Sequence, residues 1–288
     1  MATANTGPLI PRRRLGAAFR ELRESRGETL QQTAKALLFS PSKLSRIENG
    51  LAGEPHPRDV RDLIRHFGVN GDESATLEDL AEASRQPGWW QLPPYDFTGD
   101  IDTFISYESA ASRISEYSPM MVPGLLQTPR YARQVLTRVA PTWDREQIDR
   151  MVDARLERQR HMRERQVPRL HVMDESVLHR LVGSTEIMRE QLEALLEALS
   201  GPHLKFHIMP YDQGLYEALE LTTTTIFFFD SDTDQDVVTI ERTMYVDFLD
   251  KARSTQKYKD ILDRTSEYWL DEESSRQFIE QILHKWHD

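Results

Sequence analysis

The sequence predicts a chain of two parts, in which an all-α head of five helices is joined to a mixed α/β C-terminal domain. Three observations predict this fold class. Apolar residues recur at helical spacing within residues 1–85, extended runs alternate with helical patterns after residue 100, and residues 86–100 concentrate proline, glycine and tryptophan. We therefore expect a head at 1–85, a linker at 86–100 and a second domain at 101–288.

Charge also divides the chain. Residues 1–70 contain 12 Lys and Arg against 7 Asp and Glu, and the remaining residues contain 24 against 40, which together give the net charge of −11. A basic head on an acidic body is typical of a protein that touches nucleic acid at one end.

The composition also bears on location. The chain has no cysteine, so disulfides and thiolate metal sites are excluded. Its apolar runs are far shorter than the ~20 residues of a membrane span, and its N-terminus lacks the apolar core of a signal peptide. We expect a cytoplasmic protein that contacts no membrane.

The first helix is predicted by Leu15, Ala18, Phe19 and Leu22, which follow i, i+3, i+4, i+7 spacing. The run 12–14, Arg-Arg-Arg, directly precedes this pattern. Two interpretations stay open for it: a contact along the DNA backbone or minor groove, or a solvated tail.

The second and third helices are short and carry clear boundary signals. Thr29 followed by Gln32 predicts a capping box, and Ser40 followed by Pro41 predicts the N-cap and first residue of the next helix. Gly50 ends that helix. The result is two short helices joined by a tight turn.

These two helices pair through apolar residues and leave a polar face outside. Ala34 falls where the helices cross, and Leu44 and Ile47 face the core. The outward residues of the third helix are almost all hydrogen-bond donors: Ser42, Lys43, Ser45, Arg46 and Asn49. Such a face suits phosphates and base edges, so we interpret residues 29–50 as a helix-turn-helix, with an ordinary helical hairpin as the alternative.

The stretch from Ala34 to Gly50 resembles the Xre, or lambda-repressor-like, family of bacterial regulators. Two positions depart from the family pattern: Leu30 stands where the family usually has Gln, and Leu38 stands where it usually has Gly. The second departure strains the turn if Leu38 adopts a positive φ. The resemblance also implies a buried ion pair between Arg23 and Glu48, which makes Glu48 architectural.

From this pattern we predict sequence-specific binding to a double-stranded DNA operator. The helix 41–49 lies in the major groove, where Ser42 and Arg46 meet base edges, with Arg46 paired to guanine O6 and N7. The remaining contacts anchor phosphates. The complete predicted DNA-binding set is Thr29, Gln31, Ser40, Ser42, Lys43, Ser45, Arg46, Asn49 and Arg58.

A single head of this kind buries only ~600–1,000 Å², so we expect a homodimer whose contacts come from the C-terminal domain. Val60, Leu63, Ile64 and Phe67 predict a fourth helix, and Leu77, Leu80 and Ala81 predict a fifth. In the linker, Trp89 and Trp90 are expected to pack against the second domain, with stacking on a nucleobase as the alternative.

The second domain shows alternating patterns. Helical periodicity appears at 104–115, 129–139, 145–165, 185–199, 248–270 and 272–286. Extended runs appear at 169–173, 204–209, 219–229 and 236–241.

The second domain also resembles a known one, the C-terminal domain attached to Xre-type heads in many actinomycete regulators. The phrases that carry the resemblance are Gly88-Trp89-Trp90, Val122 to Arg133, Asp174-Glu175 with Leu178 and Arg180, Gln191-Leu192 with Leu195, and Pro210-Tyr211 with Gly214. The resemblance implies a transcriptional regulator, often antitoxin-like and paired with a small partner protein, whose C-terminal domain has no settled chemistry.

Motifs for catalysis are missing from the sequence. It has no glycine-rich phosphate loop, no H-E-x-x-H and no G-x-S-x-G, so we expect no enzyme, no cofactor and no metal. Two metal sites remain as alternatives. The acids of 230–241 follow calcium-loop spacing but lack the required glycine, and an acidic hairpin loop is the preferred interpretation: Asp230, Asp232, Asp234, Asp236 and Glu241. Three histidines could also hold zinc: His171, His203 and His207.

Three functions therefore remain. The leading one is a DNA-binding regulator whose second domain senses a small-molecule effector or a protein partner and dimerises. The second is an antitoxin-like module that sequesters a small partner protein. The third is an enzyme domain fused to a DNA-binding head, for which a buried group of titratable side chains in a cleft would be the signature.

Overall fold

A computed structural model describes residues 6–230, 234–242 and 245–286, and these residues form two compact units. The first unit contains the described residues up to Ala110 together with Asp234, and the second contains the others. The predicted fold class is confirmed, because the first unit begins with five helices and the second contains a six-stranded mixed sheet with helices.

The first unit is helical. Its helices are α1 (Leu9–Ser25), α2 (Leu30–Ala36), α3 (Pro41–Glu48), α4 (Pro57–His66), α5 (Gly71–Ala83) and α6 (Asp100–Ala110). They enclose a core in which Leu15, Phe19, Leu44 and Leu63 are fully buried. Gly16 allows α1 to cross α3 closely, because a Cβ atom there would lie 2.3 Å from the carbonyl oxygen of Ile47.

The arginine run lies inside α1 and does not precede it, so the interpretation as a solvated tail is wrong. Helix α1 begins six residues before Leu15, the first residue of the predicted pattern. Within it, Arg12 Nε donates to the carbonyl oxygen of Ser84 at 3.0 Å, and Arg13 donates to the hydroxyl of Tyr107. Burial lowers the pKa of Arg12.

The predicted linker contains an ordered, buried tryptophan. Trp90 is 0% exposed, and its Nε1 donates to Asp102 Oδ1 at 2.7 Å. Gly7 and Gly88 lie against the same indole, so close that an added Cβ would contact it at 2.5–2.6 Å. Trp90 therefore packs within the first unit, which continues beyond residue 100 to Ala110.

The sheet of the second unit has the strand order β3-β2-β1-β4-β5-β6. Its strands are β1 (Arg113–Ser118), β2 (Arg169–Asp174), β3 (Leu204–Met209), β4 (Thr224–Phe228), β5 (Val237–Glu241) and β6 (Val246–Leu249). Strands β1, β2 and β3 are parallel, whereas β4, β5 and β6 add antiparallel neighbours beyond β1.

Helices cover both faces of this sheet. They are α7 (Pro129–Val139), α8 (Arg145–Glu164), α9 (Ser176–His179), α10 (Thr185–Ala198), α11 (Ala252–Thr265) and α12 (Glu272–Lys285). One core joins the sheet to α7, α9, α10 and α12, and the other joins its opposite face to α11.

Strands β1 and β6 were not predicted. Residues 104–115 were expected to be helical, but the helix ends at Ala110 and the chain enters the central strand of the sheet. The reason is that Ser115, Glu116 and Ser118 are polar yet buried, so β1 lacks the alternation that indicates a strand. In β6 all four residues are half-buried, and its last two residues, 248 and 249, were assigned to the start of the following helix.

Within the described ranges, none of the helices combines the length and the apolar character that crossing a membrane requires.

Candidate nucleic-acid interface

The predicted capping signals define both short helices. Thr29 Oγ1 accepts from the amide of Gln32 at 3.2 Å, and Gln32 Oε1 accepts from the amide of Thr29 at 2.7 Å, which completes the capping box. Ser40 Oγ accepts from the amide of Lys43 at 3.1 Å. These bonds fix where α2 and α3 begin, and thus which side chains the start of α3 presents.

The structure brings Arg23 and Glu48 together in a bidentate ion pair. Arg23 Nε donates to Glu48 Oε1 at 2.7 Å, and Nη2 donates to Oε2 at 2.9 Å. The side chains are 11% and 3% exposed. Hydrogen bonding to Glu48 raises the pKa of Arg23. This pair ties the last turn of α3 to α1, so Glu48 points away from the surface that faces solvent.

The outer face of α3 is a polar stripe, which consists of Ser42, Arg46 and Asn49. All three are exposed, and their i, i+4, i+7 spacing puts them along one side of the helix. Lys43 and Ser45 flank the stripe and are half-buried. The other predicted contact residues are exposed at nearby helix starts: Thr29, Gln31, Ser40 and Arg58.

Arg46 supplies the cationic group of this stripe, and that group is weakly held inside the head. Its Nε and Nη2 lie 3.4 Å and 3.3 Å from the carbonyl oxygen of Leu51, which are long hydrogen bonds. These weak bonds orient the guanidinium without occupying all of its donors. A guanine edge, which offers two acceptors, can therefore engage it at small cost.

Lys43 is held more firmly. Its ammonium lies 2.7 Å from Asp59 Oδ1 and 4.0 Å from the centre of the Phe39 ring. A phosphate that binds Lys43 must therefore share it with Asp59 or displace that carboxylate. Sequence reasoning missed this pairing because Asp59 lies on α4.

Asn49 is also engaged inside the head. Its Nδ2 donates to the carbonyl oxygen of Ser45 at 2.6 Å, and its Oδ1 accepts from Arg20 Nη2 at 2.5 Å. Arg20 Nη2 also donates to the carbonyl oxygen of Glu48 at 3.0 Å. Asn49 thus caps α3, and Arg20 adds a cation beside its C-terminus that the sequence analysis did not single out. The sequence did contain a sign of this role: Arg20 lies three residues before Arg23, which puts both arginines on the same face of α1.

A groove of about 230 Å³ runs beside the polar stripe, between α3 and the start of α4. Ser42, Lys43 and Arg46 line one side, and Glu54 and His56 are among the residues that line the other. The imidazole of His56 caps α4 by accepting from the amide of Arg58 at 3.2 Å, so Arg58 stands at the mouth of that helix.

Two family models match the chain. Residues 101–281, well over half of the chain, match the model described as a domain of unknown function, DUF5753. The chain belongs to the DUF5753 family. Residues 14–77 match a helix-turn-helix domain. No curated protein and no solved structure matches the chain. With the polar stripe exposed on α3, the helix-turn-helix match identifies the head of this DUF5753 protein as DNA-binding and indicates a transcription regulator.

Leu38 occupies the turn between α2 and α3 with φ of +57°, and its side chain is 93% exposed. A left-handed conformation costs a residue with a side chain about 1–2 kcal/mol, and this side chain gains almost nothing by burial. We expect Leu38→Gly to raise the free energy of unfolding of the head by about 0.5–1 kcal/mol, after the added freedom of the unfolded chain is subtracted. Thermal and urea unfolding measure this change.

The control for this variant is Leu51→Gly. Leu51 is also an exposed leucine, but its φ is not positive, so glycine relieves no strain there. Equal effects of the two substitutions would contradict the explanation by backbone strain.

Neither alternative metal site forms among the described residues, where no group of three His, Asp or Glu side chains could hold a metal ion. Asp232 of the calcium-like pattern lies outside the described residues. Asp236 is bound to the amide of Phe229 and to Lys259. The histidines of the zinc alternative are not gathered, because His171 pairs in register with Phe206 and thus faces away from His207.

The DUF5753 domain does bury two groups of polar side chains. On one face of the sheet, His171 Nδ1 lies 3.2 Å from Glu116 Oε2. Glu241 belongs to the same group, and its burial, together with the charge of Glu116, raises its pKa to about 7. On the other face, the hydroxyls of Tyr117 and Tyr216 are 3.0 Å apart, and Tyr216 donates to Asp174 at 2.8 Å.

Burial raises the pKa of Tyr117 to about 12 and that of Tyr216 further. Both tyrosines therefore stay protonated and act as hydrogen-bond links inside the domain. Neither His171 nor Glu116 lines the groove beside α3.

Proposed function

We propose that this protein is a transcription regulator of the Xre type that binds a specific DNA operator. Helix α3 enters the major groove, and its exposed polar stripe carries the proposal. Ser42 and Arg46 meet base edges, with Arg46 paired to guanine O6 and N7. Phosphates are held by the capping residues at the starts of α2 and α3 and by Lys43, Ser45, Asn49 and Arg58.

Arg20 extends this assignment beyond the residues expected from the sequence. It stands beside the C-terminal end of α3 and shares its guanidinium with Asn49 and the carbonyl oxygen of Glu48. A cation at this place offsets the negative end of the helix dipole and can approach the DNA backbone next to the groove.

A homodimer follows from the size of the head. One helix-turn-helix module buries too little surface for strong selectivity, and two modules related by a two-fold axis contact half-sites ~34–36 Å apart. We infer that the DUF5753 domain supplies the contacts between the two copies. This domain acts by binding an effector or a partner and not by catalysis, and its buried tyrosines and histidine are structural.

Selection of bound fragments from random duplex DNA by the full-length protein tests the proposal. The expected result is an enriched inverted repeat whose half-sites are separated by one helical turn, about 10–10.5 base pairs. Enrichment of a single half-site would support base recognition by α3 but contradict the homodimer. Recovery of no preferred sequence at moderate ionic strength would contradict operator binding itself.

The second candidate function is an antitoxin-like module that sequesters a small partner protein. One observation favours it: large apolar side chains are exposed in the loops that follow the three parallel strands. Met120, Leu181, Tyr211 and Leu215 are 58%, 55%, 56% and 86% exposed. Exposed apolar groups that cluster at one edge of a domain are typical of interaction sites.

If a partner protein binds at this edge, its binding should depend on the exposed apolar side chains there. We expect Tyr211→Glu to abolish co-purification of a stoichiometric small protein with the chain, while Val139→Glu, at another exposed apolar position, leaves it unchanged. Co-purification that survives Tyr211→Glu would exclude this edge as the binding site.

A further inference from the structure

A cavity of about 640 Å³ opens in the DUF5753 domain between α8, α10 and the starts of β2 and β3. Its walls are largely apolar, and the apolar residues that form them include Leu125, Met162, Ala198 and Leu204. Small-molecule sites in proteins usually measure ~300–1,000 Å³ and have mostly apolar walls with a few polar groups. The cavity has the size and lining of such a site.

One wall is built by the segment Val122 to Arg133, whose role the proposed operator binding leaves unexplained. Two buried glutamines hold its backbone. Gln159 Nε2, from α8, donates to the carbonyl oxygens of Gly124 at 3.1 Å and Gln127 at 2.9 Å.

From α10, Gln191 completes the attachment. Its Nε2 donates to the carbonyl oxygen of Leu126 at 2.8 Å, and its Oε1 accepts from the amide of Thr128 at 2.8 Å. Gln191 is 0% exposed, so these bonds are shielded from water. Hydrogen bonds from both helices therefore hold the segment that forms this wall.

The rim of the cavity is positively charged. Two arginines line it, Arg163 and Arg169, against one acid, Glu197. This balance is opposite to that of the residues after 70, which contain 24 Lys and Arg against 40 Asp and Glu. A local excess of cations in an acidic domain favours an anionic ligand.

The two helix ends at the cavity do not reverse this preference. The carbonyl oxygens in the last turn of α8 accept from the amides of Gln166 and Val167, and those of α10 accept from Ser200 and Gly201. These bonds partly neutralise the negative ends of the helix dipoles.

We propose that this cavity binds a small anionic molecule with an apolar body, such as an aromatic or aliphatic carboxylate. The apolar body lies against Leu125, Met162 and Leu204, and the anionic group meets Arg163 at the rim. That such a molecule is the effector of the regulator rests on the proposed function. The binding itself does not, because it requires neither DNA nor the head.

Two fluorescent dyes test the site in the full-length chain without DNA. 1-Anilinonaphthalene-8-sulfonate combines an aromatic body with one negative charge, and N-phenyl-1-naphthylamine has the same body without the charge. We expect the wild-type chain to bind one equivalent of the anionic dye. Ala198→Trp fills the cavity and should weaken the binding of both dyes, because the tryptophan side chain occupies the space that the aromatic body of each dye needs.

Arg163→Glu should weaken the anionic dye about tenfold, equivalent to about 1.4 kcal/mol, and leave the neutral dye unchanged. Arg163 is exposed, so this variant is expected to fold normally even if Ala198→Trp does not. The matched control is Arg138→Glu, on the exposed part of α7 outside the cavity.

Each result decides the proposal. Weaker binding of the anionic dye in Arg163→Glu, but not in Arg138→Glu, supports it. Equal binding by wild type, Arg163→Glu and Ala198→Trp, or equal losses in Arg163→Glu and Arg138→Glu, would overturn it. Failure here leaves operator binding unaffected, since the DNA selection depends on α3, and failure of the DNA selection leaves the dye result standing.

Discussion

Arg23→Ala is expected to lower the free energy of unfolding of the head by about 3–5 kcal/mol. The substitution leaves the Glu48 carboxylate, which is 3% exposed, without the two hydrogen bonds and the positive charge that now compensate it. Arg20 is a poor substitute, because its Nε lies 3.9 Å from Glu48 Oε2. The cost of an uncompensated buried charge exceeds the value of the pair itself.

Urea unfolding of the full-length chain, with hydrogen exchange of peptides from α1 to α4, measures this effect within the head. Arg65→Ala is the matched control, since Arg65 also pairs with an acid but its side chain is 79% exposed. An exposed pair contributes about 0–1 kcal/mol. If Arg23→Ala destabilised the head no more than Arg65→Ala, the ion pair would not be what holds α3 on α1.

The double variant Arg23→Met with Glu48→Leu separates charge from packing. Replacing both partners by apolar residues removes the uncompensated charge, so most of the lost stability should return. Failure of the double variant to recover stability would assign the effect of Arg23→Ala to lost side-chain packing.

Much of the head could be predicted from the sequence because its signals are local. The capping box at Thr29, the Ser40 cap and the end at Gly50 each depend on residues within a few positions of one another. The strain at Leu38 was expected from the resemblance alone, because the family that residues 34–50 resemble usually has Gly at this position.

What the sequence did not predict depends on distant residues. Strand β1 contains buried Ser115, Glu116 and Ser118, and their burial is understood only with β2 and β4 on either side. The exposure of Arg46 followed from helical spacing, but the bond of Lys43 to Asp59 required the position of α4. The cavity beside Gln127 likewise requires α8 and α10 together.

Arg46→Ala is expected to weaken binding to the selected operator by about 1–3 kcal/mol and to relax the preference at one base pair. Arg46 is exposed, and the hydrogen bonds from its guanidinium to the carbonyl oxygen of Leu51 are long, so these bonds oppose its transfer to guanine only weakly. Titration of the operator, of its single-base variants and of a scrambled duplex, each at several salt concentrations, measures both effects.

Lys43→Ala provides the contrast within the same helix. Lys43 is assigned to a phosphate, so its loss should weaken all sequences by similar factors and reduce the salt slope by about 1. Removing the ammonium also leaves the Asp59 carboxylate unpaired near the DNA, and its repulsion of the phosphates adds to the loss. If Arg46→Ala instead weakened operator and scrambled DNA equally, Arg46 would be a backbone contact, and base recognition by α3 would have to rest on Ser42.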